Sequence, residues 1–163
     1  MNGQETEFKQ VMAGAICREI GARDFYRMLS NTIRNAEGKD KFHRLSVDEE
    51  GHRKKLESWY KKTFNATFVA DPKMLKEAEV KGMRVNGQPS ALEALDIAIK
   101  AEMRAEEFYS SQAEAAAIPE LRELLAKLAS EEHGHYELLE AERNSITGGF
   151  YWFDIDSTSF LED

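Results

Sequence analysis

Apolar residues recur along this chain at steps of three and four, in four stretches long enough to be bundle helices. The first runs from about Glu5 to Ala36, with Phe8, Met12, Ala15, Glu19, Ala22, Tyr26, Leu29 and Ile33 on one stripe. Steps of four and three in alternation are those of a helix seam. Gly38 follows and suits a helix end. The second stretch, about Asp40 to Phe64, carries Phe42, Leu45, Glu49, His52, Leu56, Trp59 and Thr63. The third, about Ser90 to Ala117, carries Ala91, Leu95, Ala98, Glu102, Ala105, Tyr109, Gln112 and Ala116, with Ser90 and Glu93 placed as a capping box after Pro89. The fourth, about Pro119 to Ile146, carries Leu121, Leu125, Leu128, Glu132, His135, Leu139, Glu142 and Ile146. Pro119 suits a first turn, and Gly148 and Gly149 end the stretch.

Short joints near Gly38 and near Ile118 make antiparallel neighbours of the first and second helices and of the third and fourth. The segment from Asn65 to Pro89 is longer, has room for a short helix around Pro72 to Lys81, and can carry the chain from one end of a bundle to the other. The expected architecture is therefore all-α: a four-helix bundle in one domain over residues 1–163, made of two helical hairpins joined by a crossover. The tail after Thr147 contains Phe150, Tyr151, Trp152, Phe153 and Phe160. Packing on the bundle and packing on a partner subunit are equally good readings of it.

The two hairpins are versions of each other. An offset of 83 carries Glu19 to Glu102, Phe25-Tyr26 to Phe108-Tyr109, Leu45 to Leu128, Glu49 and His52 to Glu132 and His135, and Leu56-Glu57 to Leu139-Glu140, without a gap. Each half thus has a Glu seven residues before a Tyr on one helix and a Glu-x-x-His on the next.

Six of these residues stand where a core expects Leu or Ala: Glu19, Glu49, His52, Glu102, Glu132 and His135. A buried carboxylate without a partner is costly or takes up a proton, and no Lys or Arg stands on the seams to pair with it. Two divalent cations would cancel four negative charges and satisfy the oxygen lone pairs. Glu and His three residues apart share a helix face, so each such helix offers an oxygen and a nitrogen ligand. Carboxylates with one imidazole per metal suit iron or manganese and admit zinc. A single Glu-x-x-His on a helix rich in Glu is ordinarily a solvated face. The metal reading rests on two copies, two lone glutamates and one constant offset coinciding on the seams.

Other side chains fit less well. His43 and His133 fall off the seams and are expected to be exposed. Glu106, one turn beyond Glu102, is either a supporting or alternative ligand or part of the solvated face. Glu142 lies on the fourth seam without a counterpart and is expected in water at the bundle end. Tyr26 and Tyr109 are expected in the core with their hydroxyls near the ligands, packing being favoured over a redox role. Cys17 reads as a small buried hydrophobe.

Composition narrows the partners. The net charge of −8 speaks against nucleic acid and against an anionic membrane surface. Met1 to Val11 lacks the apolar region of a signal peptide, and no run of about 18 apolar residues exists to span a membrane. The single cysteine permits no internal disulfide and no Cys-x-x-Cys site, and leaves copper(I) and iron–sulfur chemistry without ligands. A cytoplasmic protein is the simplest expectation.

Glu19 with Tyr26 on the first helix, Glu49-x-x-His52 on the second, Glu102 on the third and Glu132-x-x-His135 on the fourth resemble the ferritin-like di-iron carboxylate superfamily. Within it the chain is most similar to the rubrerythrin branch, over about Phe8 to Ile146. The resemblance implies a ferritin-like fold and two iron ions, with manganese or zinc as alternatives. It implies bridging carboxylates at Glu49 and Glu132, terminal ones at Glu19 and Glu102, and imidazole ligands at His52 and His135. The implied activity is reduction of peroxide or dioxygen by a diferrous pair.

Two departures qualify this. The four cysteines of a rubredoxin domain are absent, so electrons would come from a separate donor. Rubrerythrins often carry a further Glu three residues after the first on the third helix; here that position is Ala105, with Glu106 one place on. The departure speaks against a ligand-switching peroxidase, and the symmetric six-ligand set looks equally like a ferroxidase centre.

Three functions are therefore expected in order. The first is a di-iron oxidoreductase acting on peroxide or dioxygen. The second is a ferroxidase or iron-binding or storage protein that takes ferrous iron. The third is a metal-stabilised interaction or sensor module. The expected assembly is a homodimer, in which the long crossover would permit exchange of helices.

Overall fold

The computed structural model describes residues 3–80 and 91–147 of the 163. They form five α-helices and, among the described residues, no strand: α1 Gly3–Thr32, α2 Ala36–Phe64, α3 Pro72–Ala78, α4 Ala91–Ala115 and α5 Pro119–Thr147. No described helix is long and apolar enough to cross a membrane. The chain divides into two compact units, residues 1–32 with 37–80 and residues 33–36 with 81–163. The first holds the hairpin of α1 and α2 together with α3; the second holds the hairpin of α4 and α5.

In the first unit α1 and α2 run antiparallel. Phe8 near the start of α1 meets Phe64 at the end of α2, ring centroids 5.6 Å apart. At the other end the Ser30 hydroxyl donates to the Lys39 carbonyl at 3.1 Å. Between them Met12, Ile16, Leu29, Phe42, Leu45 and Leu56 are buried. Removing each such side chain from water stabilises the fold by roughly 1.5–3 kcal/mol.

The short helix α3 starts where the Asp71 carboxylate accepts from the backbone N–H groups of Lys73 and Met74, at 2.7 and 3.1 Å, with Pro72 in the first turn. It packs on α1. A Cβ at Gly21 would collide with the Ala78 carbonyl oxygen, and one at Gly14 would touch the end of Met74. Cys17 lies between these glycines on the same face and is fully buried, as expected of a small hydrophobe. Burial, and then the charge of Asp71, pushes its thiol pKa up.

In the second unit α4 and α5 are also antiparallel. Arg143 near the end of α5 reaches Asp96 near the start of α4 at 2.6 Å. At the joint the Arg122 guanidinium donates twice to the Ala116 carbonyl, at 3.2 and 2.8 Å. Ala91, Leu95 and Ala98 from α4 and Leu121, Leu125, Leu128, Leu139 and Ile146 from α5 form the buried layer.

Several expectations need correction. The joint between α1 and α2 is residues 33–35, so α1 stops before Ala36 and α2 starts before Asp40. The Thr32 hydroxyl closes the last turn of α1 on the carbonyls of Met28 and Leu29, at 3.1 and 3.0 Å. Asn35, a favoured residue type before a helix, directly precedes α2. Gly38 is therefore buried in the first turn of α2 and does not end α1.

The stripe on α2 ends on Tyr60, 7% exposed, while Trp59 is half-buried and Thr63 exposed. A straight helix drifts about 20° per heptad against a strict repeat, which moves the buried face by one residue. α4 ends at Ala115 rather than Ala117. Glu142 is only 8% exposed, not in water, because it shares the α5 face of Leu139 and Ile146. The Ser90 capping box, the glycines after Thr147 and the aromatic tail lie outside the described residues.

Candidate metal centre

Each unit brings one Glu from its first long helix onto a Glu and a His from its second. In the first unit Glu19 of α1 meets Glu49 and His52 of α2, at 3%, 1% and 3% exposure. His52 Nδ1 is 3.0 Å from Glu49 Oε2 and 3.5 Å from Glu19 Oε2. In the second unit Glu102 of α4 meets Glu132 and His135 of α5. There His135 Nδ1 is 3.1 Å from Glu132 Oε2 and 3.7 Å from Glu102 Oε1. Within each triad one ligand-capable atom per residue lies within 4.8 Å of the others. All six residues read from the seams are thus buried, three to a hairpin.

Two carboxylates beside one imidazole, out of water, repel each other unless a cation intervenes. The distances suit one. Donors bound at about 2.1 Å and at roughly right angles stand about 3 Å apart. The close contacts of His52 and His135 match that spacing, and the longer ones match a wider angle at the same ion. Oxygen-rich donors with one imidazole per triad suit iron or manganese and admit zinc.

Tyr26 and Tyr109, seven residues along from Glu19 and Glu102, are each about 1% exposed. Tyr26 packs between Phe25 and Phe42, at 5.4 and 6.0 Å between centroids, and Tyr109 packs on Phe108 at 5.3 Å. Both belong to the core, as expected.

Glu106 stands elsewhere. Its carboxylate takes His133 Nδ1 at 3.1 Å, with side chains 35% and 49% exposed. That hydrogen bond raises the His133 pKa. His43 and His133 are both exposed.

The sequence reading does not single out Arg23, Glu50 and Arg53. Arg23 of α1 donates to Glu50 Oε2 of α2 at 2.9 Å, and Arg53 holds both oxygens of Glu50, at 2.8 and 2.7 Å. Arg53 also pairs with Glu57. Hydrogen bonds from Arg53 first, against the opposing effect of burial, and then from Arg23, bring the Glu50 carboxyl down to about 2. The signal was available: the offset of 83 carries Arg23 to Glu106 and Glu50 to His133, so both pairs occupy equivalent positions.

Comparison with known proteins agrees with this geometry. The rubrerythrin family model matches residues 10–143. No curated protein sequence matches the chain. A hypothetical protein from Pyrococcus furiosus is similar in structure at a TM-score of 0.73 and 29% identity, over 88% of this chain and 92% of that one. A ferritin-like diiron-carboxylate protein from Bacillus anthracis is similar at 0.66 and 24% identity, over 86% and 98%. A manganese catalase from Anabaena is similar at 0.63 and 16% identity, over 94% and 77%. The fold is accordingly the all-α ferritin-like bundle.

Proposed function

The chain belongs to the rubrerythrin family, and on that premise we propose that it is a di-iron carboxylate oxidoreductase that reduces peroxide or dioxygen with electrons from a separate donor. The observation that supports this best is the pair of matched, buried Glu–Glu–His triads, one per hairpin. The reading joins them in one dinuclear centre, as the superfamily's ligand pattern does.

His52 and His135 would each hold one metal through Nδ1, the nitrogen that faces the carboxylates. Glu19 and Glu102 would be terminal ligands, and Glu49 and Glu132 would bridge. A bound ferrous pair supplies one electron per ion, which with two protons turns hydrogen peroxide into two waters. The protein's own part is to hold four negative donors close together and dry. Burial of all six side chains keeps bulk water from them.

The likeness to a manganese catalase favours a second reading, with manganese bound and peroxide disproportionated without any donor. Ferroxidation or storage would use the same ligands on ferrous iron as substrate.

One experiment separates these. Protein purified without added metal is analysed for metal and assayed with peroxide, beside Glu49→Ala combined with Glu132→Ala. About two irons per chain, and peroxide consumption that needs a reductant and is lost in the variant, are expected. Oxygen release without reductant would favour the manganese reading. A native particle much larger than the expected homodimer would favour storage. Bound zinc without redox turnover would leave a metal-stabilised interaction or sensor module. No metal in either protein would end the dimetal reading.

A further inference from the structure

We infer that the two triads are not equivalent: Glu19, Glu49 and His52 take a divalent metal first and hold it tightly, while Glu102, Glu132 and His135 form the exchangeable position, because the helices that carry them are braced differently. The inference rests on the dimetal reading above.

The bracing residues occupy equivalent places in the repeat, with different chemistry. In the first hairpin Arg23 follows Glu19 by one turn on α1, and Glu50 adjoins Glu49 on α2. One carboxylate grips both helices beside the ligands, through Arg23 at 2.9 Å and through both oxygens to Arg53. The three side chains are shielded, at 19%, 27% and 19% exposure. Guanidinium groups keep their charge and grip carboxylates in a fixed fork.

In the second hairpin the order of the pair is reversed, with the carboxylate on the first helix, and its partner is an imidazole. Glu106 of α4 meets His133 of α5 in one contact at 3.1 Å, with side chains 35% and 49% exposed. The other nitrogen of His133 faces Glu137, on its own helix, at 3.5 Å. Tyr136 stands where Arg53 stands in the first hairpin, and its hydroxyl donates to Glu140 on the same helix at 3.0 Å. The ion pair of Arg143 and Asp96 ties α4 to α5, but two turns from His135. Exposed single pairs are screened and weak, whereas shielded multiple ones hold geometry.

The triads follow the same order. Of the two imidazoles, that of His52 is 3% exposed and that of His135 is 11% exposed. A triad set in place by its brace gives up less freedom on taking a metal. A more exposed ligand gives water a way to replace it. The second triad is thus where metal enters and leaves.

Metal-free protein is titrated with zinc(II) by calorimetry and with cobalt(II) by absorption, which reports the ligand set. One equivalent is expected to bind before a second. The gap should be about tenfold or more, the scale on which groups behind metal ligands act. Glu19→Ala should remove the tight step and Glu102→Ala the weak one. Arg23→Ala should narrow the gap, and Arg23→Lys should restore most of it. Glu106→Arg combined with His133→Glu transplants the brace and should tighten the second step alone. Two indistinguishable equivalents, or loss of the tight step in Glu102→Ala, would overturn the inference while leaving the dimetal reading in place. A wild type that binds no metal would instead remove that reading itself.

Discussion

Glu49 and His52, three residues apart on α2, meet at 3.0 Å, and Glu132 and His135 repeat the relation on α5 at 3.1 Å. The helix alone sets this contact, since residues three apart share a face. The third member of each triad comes from the neighbouring helix, so the donors converge only when the hairpin closes.

Concentrated buried carboxylate should make the metal-free protein less stable than its metal-bound form. In chelator, Glu132→Leu is expected to raise stability by on the order of 1 kcal/mol, since it removes a buried charge from a crowded site. With zinc(II) present the same variant should be less stable than wild type. Thermal unfolding followed by circular dichroism, with and without chelator, reads both signs. A variant less stable than wild type in chelator as well would contradict the account.

Two glycine substitutions should have opposite effects. Gly21→Ala places a Cβ against the Ala78 carbonyl oxygen and should cost about 1–3 kcal/mol as α3 is forced off α1. Gly134→Ala meets nothing within 4 Å and should stabilise α5 by about 0.5–1 kcal/mol. Denaturant unfolding of the two variants gives the comparison; equal effects would show that α3 does not press on α1.

The Cys17 thiol should be inert in the native protein. It is fully buried, and its raised pKa leaves it protonated near neutral pH. A thiol reagent is expected to label it only upon unfolding. Asp71→Ala removes the cap of α3, at a cost of about 1 kcal/mol, and should let labelling proceed in the native state. Labelling rates in buffer decide the matter, and rapid reaction of the wild type would refute it.

Leu56 and Leu139 are repeat equivalents, each fully buried. Truncation of either to Ala should cost about 2–5 kcal/mol through lost burial and the cavity left behind. The repeat predicts similar losses at the two positions. A large difference, measured by chemical denaturation, would show that one hairpin relaxes around the gap and the other does not.

The buried Glu and His residues were legible because Glu19, Glu49 and Glu132 interrupt otherwise apolar stripes, and a carboxylate at a seam position is conspicuous. The repeat strengthened the reading, since chance does not place six such residues at one offset. The end of α1 was misplaced because Gly38 is an ambiguous signal: glycine suits a helix stop but also a buried first turn. Trp59 and Tyr60 could not be separated because the buried face shifts by a fraction of a turn over the length of α2. Glu142 looked solvated for want of a counterpart, yet its neighbours Leu139 and Ile146 draw it inward.

The sequence by itself determined the helices, their pairing into two hairpins, the buried Glu and His residues and the family. Each depends on periodicity along one helix or on the length of a joint, both of which are local properties of the chain. Only the tertiary structure decided that Arg23 grips Glu50 while Glu106 takes His133, and that α3 covers Gly14, Cys17 and Gly21. Those contacts depend on how far apart neighbouring helices stand and how each is rotated about its axis. Packing of the whole core sets these quantities, and no stretch of sequence carries them alone.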